Sequence, residues 1–453
     1  MNFLKTGLGV FISQIISLLL IPVLSRLYTP SDFAELGYFL GLFAVLAPVC
    51  SLRLPDSIVV AKYIRSAYAL FNISLIVGII LSLLVGLIFY VFSNDKRLSI
   101  YLFLMIVSYT GIQCTLFWLV RSAKFGSYAV MNAGMTALVP ILQLVFYYTH
   151  ADGDLIDATL AAYLIVATVA ILYCYNSLPK RKLSLSLVFY SLRRQSTFIK
   201  YLTPYSIVGS LKQKMPYIVL GSGSDITGYL TQADKIMNAP NSLLSSAIRP
   251  VLYRFYSVNG ISRSNVYFIE TIVKSITVLV APVVCFIVLN SEELVVAVLG
   301  EKWVNASGVF SLVLISSGFF MVTNWMDRLL DVMSKQKVGL MIESMMSIII
   351  VVSLLSFSQT NQSAHYLVSL YTALMILGSL LWLFVMYHLV GLGVAKAINA
   401  LVFICFISGL SYIVSIFGMS TDYYLFLYLV YYILMMVCFS LLHKNKLLKV
   451  ARA

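Results

Sequence analysis

Apolar stretches of about 20 residues, separated by short gaps that hold most of the charges, recur along all 453 residues of the chain. A helix needs roughly 20 apolar residues to cross the hydrocarbon of a bilayer. Of all residues, 61% are hydrophobic and 11% are charged, whereas an ordinary soluble domain has about 25% charged residues. Since so few polar residues cannot cover a water-exposed surface, we predict an all-α integral membrane protein.

The apolar stretches predict about fourteen transmembrane helices, or twelve if two weak segments merge or re-enter the membrane. They lie near 3–26, 35–55, 67–92, 99–120, 129–149, 158–178, 201–221, 228–252, 267–289, 304–327, 338–357, 365–389, 397–417 and 423–442. The first of them lacks a small-residue cleavage site, so we expect it to stay as an anchor. An even number of spans places both termini on the same side.

Lysine and arginine are concentrated in alternate gaps, which include residues 179–200 and the C-terminal tail. The opposite gaps collect acids such as Asp95, Asp152 and Asp154. By the positive-inside rule, we expect both termini to be cytoplasmic. The formal net charge of +14 therefore reflects topology, and we predict no nucleic-acid partner.

The six cysteines lie in apolar stretches without a CxxC pair or a neighbouring histidine. This pattern indicates neither a zinc site nor a disulfide framework. The chain also lacks a phosphate-binding loop and a dinucleotide fingerprint. We therefore predict no cofactor, no metal and no ATP hydrolysis within this chain.

Two sets of six predicted helices begin alike. In each, a short outer loop holds an acid, Asp32 or Asp225, and a Gly-Tyr pair follows, Gly37-Tyr38 or Gly228-Tyr229. Such duplication is typical of transporters that hold the substrate between two halves. The predicted divisions are an N-lobe at 1–178, a basic cytoplasmic linker at 179–200, a C-lobe at 201–389, and an extra helix pair with a basic tail at 390–453.

Two patches carry a family resemblance. The first is the run from Pro22 to Phe33 (PVLSRLYTPSDF), followed by Gly37-Tyr38 and by Ser51 to Asp56 (SLRLPD). The second combines Gly228-Tyr229, Lys235-Ile236 and Pro240. The chain resembles the polysaccharide and O-antigen flippases (Wzx-type) of the multidrug, oligosaccharidyl-lipid and polysaccharide exporter superfamily. The likeness covers nearly the whole chain in organisation, and these two patches at the level of residues.

The resemblance implies two six-helix lobes around a cationic cavity, without enzymatic activity. It implies transport of undecaprenyl-diphosphate-linked oligosaccharide to the periplasmic leaflet, with a polysaccharide polymerase and chain-length machinery as partners. Asp56 departs from the family pattern, where a glutamate is expected, and Pro55 is inserted into the motif. The last two helices resemble the additional pair of lipid II flippases and some polysaccharide flippases.

Ionisable residues within apolar stretches supply the candidate site, because insertion of each into a bilayer costs roughly 2.5–3.5 kcal/mol. The candidate ligands of a diphosphate are Arg53, Lys212, Lys214, Lys235 and Arg249. Lys235 and Arg249 are about 21 Å apart along one helix face. Lys212 and Lys214 differ by about 200° around a helix, so one of them faces a cavity. We favour Lys214, because Pro216 disturbs its turn.

Several of the polar and charged residues have an alternative role. Asp234 beside Lys235 is either a structural counter-ion or a site for proton or sodium coupling. Arg53 and Lys274 can equally extend to the cytoplasmic headgroups, and Glu270 can pair with Lys274 one turn away. A polar stripe on the fifth helix either meets sugar hydroxyls or joins neighbouring helices; its members are Asn132, Thr136 and Gln143.

Two other functions remain open. A drug or cation exporter of the same superfamily carries cationic cargo, which a basic interior disfavours. A membrane glycan polymerase needs a substantial outer loop with catalytic side chains, whereas the outer gaps are short and the four histidines are scattered.

Overall fold

A computed structural model describes residues 2–93, 95–149, 154–175, 178, 185–195, 198–262, 265–333, 335–359, 363–419 and 424–442. Over these residues the chain is helical and contains no strand. Among these described residues, eleven helices are long and apolar enough to cross a membrane. The predicted class, an all-α multi-pass membrane protein, is confirmed. All fourteen predicted segments coincide with long helices, while fourteen membrane crossings stay a prediction.

The described chain forms two compact units, and the boundary falls within one long helix: unit 1 holds residues 1–231 and 347–360, and unit 2 holds residues 232–346 and 361–453. The predicted lobe boundaries at 178, 200 and 389 stay a prediction.

The part of unit 1 that the structure describes contains nine complete helices. They are α1 (Asn2–Leu27), α2 (Pro30–Ser51), α3 (Leu54–Val60), α4 (Ile64–Ser93), α5 (Lys96–Arg121), α6 (Phe125–Thr149), α7 (Leu155–Tyr175), α8 (Leu185–Arg194) and α9 (Thr203–Leu220). Helix α8 lies within the stretch 179–200 that was predicted as a linker, and it packs on α4.

Unit 2 begins within α10 and continues to the end of the described chain. Its helices are α10 (Asp225–Asn259), α11 (Tyr267–Leu289), α12 (Ser291–Leu299), α13 (Ser307–Thr323), α14 (Asp327–Val332), α15 (Gln336–Ser358), α16 (Ala364–Leu389), α17 (Val394–Met419) and α18 (Tyr424–Leu442). The first turns of α10 and the second half of α15 belong to unit 1.

The N-terminus of α2 is defined by a capping box. The backbone N–H of Thr29 donates to Asp32 Oδ2 at 2.7 Å, and the Asp32 N–H donates to Thr29 Oγ1 at 3.4 Å. Pro30 occupies the first turn, where its missing N–H removes no helical hydrogen bond. The helix therefore begins five residues before the predicted position, and Asp32 acts as a capping residue.

The duplicated Gly-Tyr motifs mark a close helix crossing within unit 1. A Cβ added to Gly37 on α2 would lie 1.9 Å from Thr231 Oγ1 on α10. A Cβ added to Gly228 on α10 would lie 1.9 Å from the carbonyl oxygen of Pro30 on α2. Each repeat thus supplies a glycine at the position where the other repeat's helix passes, and only glycine permits this approach.

The additional helix pair is anchored to α11 in unit 2. The hydroxyls of Tyr428 and Tyr432 on α18 donate to the carbonyl oxygens of Pro282 and Leu279 at 2.6 and 3.1 Å. Helices α11, α13 and α17 line a cavity of about 440 Å³ whose lining includes Phe319. The pair is therefore an integral part of unit 2.

Candidate functional site

Arg53 lies where the chain breaks between α2 and α3. Leu52 and Arg53 both adopt the left-handed conformation, with φ of 47° and 50°, which costs a non-glycine residue of order 1–3 kcal/mol. Pro55 then occupies the first turn of α3. The backbone thus turns the Arg53 side chain away from the path that a continuous helix would give it.

The guanidinium of Arg53 has two kinds of partner in unit 1. Its Nε donates to the hydroxyl of Ser206 on α9 at 2.9 Å. Its Nη1 lies 3.6 Å from Asp56 Oδ2, in an ion pair whose side chains are 31% and 19% exposed. Ser206 thus fixes the direction of Arg53, while Asp56 balances its charge. Asp56 was the departure from the family motif, and here it is the counter-ion.

Helix α3 is held at its other end by Arg121 on α5. Nη1 of Arg121 donates to the carbonyl oxygens of Ile58, Val59 and Ala61 at 3.1, 3.1 and 2.5 Å. A cation at the C-terminus of a helix satisfies carbonyls that have no partner within the helix and favours its dipole. From its place in a gap between apolar stretches, Arg121 was expected to mark topology only, and this contact was not predicted.

Helix α9 carries Lys212 and Lys214, both half-buried. It packs closely on α2, since a Cβ added to Gly41 would lie 3.1 Å from Tyr217 Cβ. The Tyr217 hydroxyl donates to the carbonyl oxygen of Leu230 at 3.3 Å, and the Lys214 Nζ lies 4.5 Å from the centre of the Tyr217 ring. The small face of α2 therefore positions Tyr217, which in turn gives Lys214 an aromatic partner.

Arg249 on α10 is the centre of a polar network in unit 2. Its Nη2 donates to the carbonyl oxygen of Asn324 at 2.9 Å and to Asn324 Oδ1 at 2.7 Å. Its Nε lies 3.2 Å from Asp327 Oδ1. The Asn324 amide donates in turn to Ser245 Oγ at 3.1 Å and to Asn241 Oδ1 at 3.3 Å.

Asn324 lies in a short 3₁₀ turn, Asn324–Met326, that separates α13 from α14. We predicted one continuous helix over 304–327 and did not single out Asn324 or Asp327. The available signal was an asparagine and an aspartate three residues apart, directly after the apolar run of α13. A partner for Arg249 at this spacing could have been proposed from them.

The remaining candidates are half-buried or paired. Asp234 and Lys235 on α10 are both half-buried in unit 2, and Asp234 is within electrostatic range of the buried Tyr371 on α16. The Lys274 ammonium donates to Glu270 Oε1 at 2.7 Å. Lys274 thus forms an ion pair with Glu270 one helical turn away, which was the alternative to a role as a ligand.

One member of the polar stripe on α6, Gln143, joins neighbouring helices. The Gln143 amide is buried and donates to Thr159 Oγ1 on α7 at 3.0 Å, and the Tyr28 hydroxyl donates to the Gln143 carbonyl oxygen at 2.8 Å. Thr136 bonds to the carbonyl of Asn132 within α6. The bonds of Gln143 correspond to the helix-joining role, rather than to contact with sugar hydroxyls.

The structure therefore distributes the predicted cations over the two units. Arg53, Lys212 and Lys214 belong to unit 1, whereas Lys235 and Arg249 belong to unit 2. Within unit 1, Arg53 reaches α9 through Ser206, so its guanidinium bonds to the helix that carries both lysines. Among the described residues, no group of three or more histidine, cysteine or carboxylate side chains has the arrangement of a metal site. The chemistry available is binding of anions by arginine and lysine.

A multi-pass helical bundle with lysine and arginine side chains within its apolar helices is typical of membrane transporters. Comparison with known families identifies it further: the model of the polysaccharide biosynthesis protein family matches residues 23–308. The chain belongs to this family, and the superfamily recognised from its sequence motifs is confirmed. Among curated protein sequences, none matches the chain significantly.

Solved structures share the fold at low sequence identity. The inward closed conformation of lipid II flippase MurJ matches with a TM-score of 0.74 and 14% identity, over 98% of this chain and 99% of that one. An inward-facing multidrug resistance MATE family transporter of the MOP superfamily matches with a TM-score of 0.59 and 14% identity, over 85% and 97%. A MATE structure in complex with MaL6 matches with a TM-score of 0.51 and 12% identity, over 86% and 96%. These proteins are transporters and flippases rather than enzymes.

Proposed function

We propose that this protein is a flippase without enzymatic activity. Its cargo is an oligosaccharide linked to undecaprenyl diphosphate, of the O-antigen or capsule type, which it moves from the cytoplasmic to the periplasmic leaflet by alternating access. The observation that carries the proposal is the set of half-buried cations inside α9 and α10, Lys212, Lys214, Lys235 and Arg249. Ionisable side chains within membrane helices are costly and almost always face the bundle interior or a water-filled cavity, where they mark substrate pathways.

The diphosphate is the part of the cargo that these side chains recognise. A planar guanidinium donates two parallel hydrogen bonds to a phosphate, and an ammonium binds phosphate as a point charge. Arg53 and Lys214 supply the two kinds of donor in unit 1, and Arg249 and Lys235 supply them in unit 2. The glycan stays in the wet interior and the lipid tail stays in the bilayer.

The membrane potential supplies the driving force. An anion that leaves a negative interior gains roughly 2.3 kcal/mol per charge per 100 mV, and a diphosphate diester carries two charges. Both termini are cytoplasmic in the inner membrane by the positive-inside rule. Coupling to a proton or sodium ion through Asp234 would add to this force. On the periplasmic side the cargo passes to a polysaccharide polymerase and chain-length machinery.

The test is reconstitution of the purified protein into liposomes with a fluorescent undecaprenyl-diphosphate oligosaccharide. The fraction of label that becomes accessible to a membrane-impermeant quencher is followed with and without an imposed potential. We expect translocation faster than in empty liposomes, and acceleration by a potential that is negative on the side from which the cargo departs.

Substitutions of single cations test which side chains bind the diphosphate during translocation. Lys214→Gln and Arg249→Gln should each slow translocation about tenfold or more, because each removes a charge-assisted contact of roughly 1.5–3 kcal/mol. Lys274→Gln is the matched control, since its ammonium is held by Glu270 on α11. Wild-type rates in both Lys214→Gln and Arg249→Gln would refute the proposed anion path. Transport of a lipophilic cation in place of the glycolipid would indicate the drug-exporter alternative.

A further inference from the structure

Both arginines proposed as diphosphate ligands already contact a carboxylate within their own unit. Arg53 lies 3.6 Å from Asp56 in unit 1, and Arg249 lies 3.2 Å from Asp327 in unit 2. All four side chains are between 19% and 32% exposed, so neither pair is sealed from a ligand. In both units, an arginine proposed as a diphosphate ligand is thus paired with a carboxylate three residues or more away in sequence.

In each pair a neutral group, rather than the carboxylate, positions the arginine. Nε of Arg53 donates to Ser206 Oγ, whereas the 3.6 Å separation from Asp56 exceeds a hydrogen bond. Nη2 of Arg249 donates twice to Asn324, which two residues of α10 hold in place. Each arginine can therefore lose its carboxylate partner and keep its direction.

A tethered carboxylate competes with any anion that approaches the same arginine. Its effective concentration is set by the fold and is of order millimolar or higher. A lipid with a single negative charge must displace the carboxylate, which is always present. It then offers the arginine no more charge than the carboxylate did. A diphosphate brings two charges and three or more free acceptor oxygens, so it gains where a singly charged phosphodiester does not.

We propose that Asp56 and Asp327 are intramolecular counter-ions that occupy Arg53 and Arg249 until a doubly charged lipid diphosphate displaces them. They exclude the singly charged phospholipids that surround the protein in far greater number. This inference rests on the proposed function and adds the residues that determine its specificity. Asp56 and Asp327 act through the arginines, so they are specificity-determining rather than catalytic.

The experiment measures selectivity in liposomes that hold either fluorescent undecaprenyl-diphosphate oligosaccharide, a diester with two charges, or fluorescent phosphatidylglycerol, which carries one charge. The variants are Asp56→Asn and Asp327→Asn, which preserve shape and remove the charge. We expect the ratio of the two translocation rates to fall about tenfold in each variant, mainly because phosphatidylglycerol moves faster. Asp327→Glu retains the charge and should restore the wild-type ratio.

Asp331→Asn is the matched control, because Asp331 lies on the same short helix and pairs with Arg328 at 3.1 Å. It should leave the ratio unchanged. An unchanged ratio in Asp56→Asn and Asp327→Asn would overturn the inference. So would a parallel loss of both rates, which would make the carboxylates simple supports of the arginines. If Asp327→Asn fails to fold, Asp56→Asn in the other unit decides alone.

The outcome separates this inference from the proposed function. If the wild-type protein flips undecaprenyl-diphosphate oligosaccharide no faster than empty liposomes do, the proposed function itself is wrong. If the wild-type protein flips it, Arg53→Gln and Arg249→Gln lose that activity, and the aspartate variants keep wild-type selectivity, only the counter-ion inference is wrong.

Discussion

Replacement of Gly228 by alanine tests whether the duplicated glycines are required for helix packing. The added Cβ would lie 1.9 Å from the Pro30 carbonyl oxygen, 2.8 Å from the Pro30 carbonyl carbon and 3.2 Å from the Ala34 nitrogen. Real Cβ atoms essentially never approach another heavy atom closer than 3.0 Å. The two helices must therefore separate by about 1 Å or more at this point.

The magnitude follows from two opposing contributions. Overpacking of this kind costs about 1–3 kcal/mol, and the upper end applies because the opposing atoms are backbone, held by the capping box of Thr29 and Asp32. Alanine in place of glycine within a helix returns up to about 1 kcal/mol. We expect Gly228→Ala to lower the free energy of unfolding by about 2 kcal/mol and Tm by several degrees.

Gly209→Ala is the matched control, because Gly209 lies in a helix of the same unit and its added Cβ would meet nothing within 4 Å. It should leave Tm unchanged or raise it slightly. The assay is thermal unfolding in detergent with a thiol-reactive dye. In a background with Cys285, Cys405 and Cys438 replaced by serine, the buried Cys50, Cys114 and Cys174 report the opening of unit 1. A Tm of Gly228→Ala equal to that of Gly209→Ala would refute the close crossing.

Three further substitutions test other contacts. Gly37→Ala should destabilise less than Gly228→Ala, because its clash is with the Thr231 hydroxyl, and Thr231→Ala should restore Tm in the double variant. Arg121→Gln should lower the free energy of unfolding by about 2 kcal/mol and slow flipping, since the carbonyls at the end of α3 lose a charged donor. A wild-type Tm would show that Arg121 does not stabilise the end of α3. Tyr428→Phe should lower stability by about 1 kcal/mol by loss of the bond to Pro282, measured with the same dye and with Cys285 of unit 2 as the reporter, and no change would show that α18 is held by apolar packing alone.

The class of fold follows from local properties of the sequence. Apolar length, charge asymmetry and the duplicated Gly-Tyr pairs predicted an all-helical membrane protein of this superfamily, because a bilayer imposes helix formation on every apolar stretch long enough to cross it. The candidate cations followed from the same reasoning, since a charge within an apolar run is expensive and therefore conspicuous.

The geometry of the helix interruptions was not predictable in this way. Pro55 indicates a helix boundary near Arg53, because proline removes a helical hydrogen bond and disfavours helical backbone in the residue before it. Nothing in the residues around Leu52 and Arg53 favours left-handed backbone, so the direction that the chain takes at this break depends on contacts with distant segments. The bonds of Arg121 to the end of α3 and of Ser206 to Arg53 are such contacts. The turn at Asn324 is likewise joined to Arg249, 75 residues earlier.

The sequence by itself thus determined the helices, the superfamily and the side chains that carry charge into the membrane. The tertiary structure alone decided what each charge faces: Asp56 and Ser206 at Arg53, Asn324 and Asp327 at Arg249, and Tyr217 at Lys214. The reason is one of range. Hydropathy and helix formation depend on neighbours along the chain, whereas the partner of a half-buried cation is chosen by which helices pack together, sometimes more than 100 residues apart.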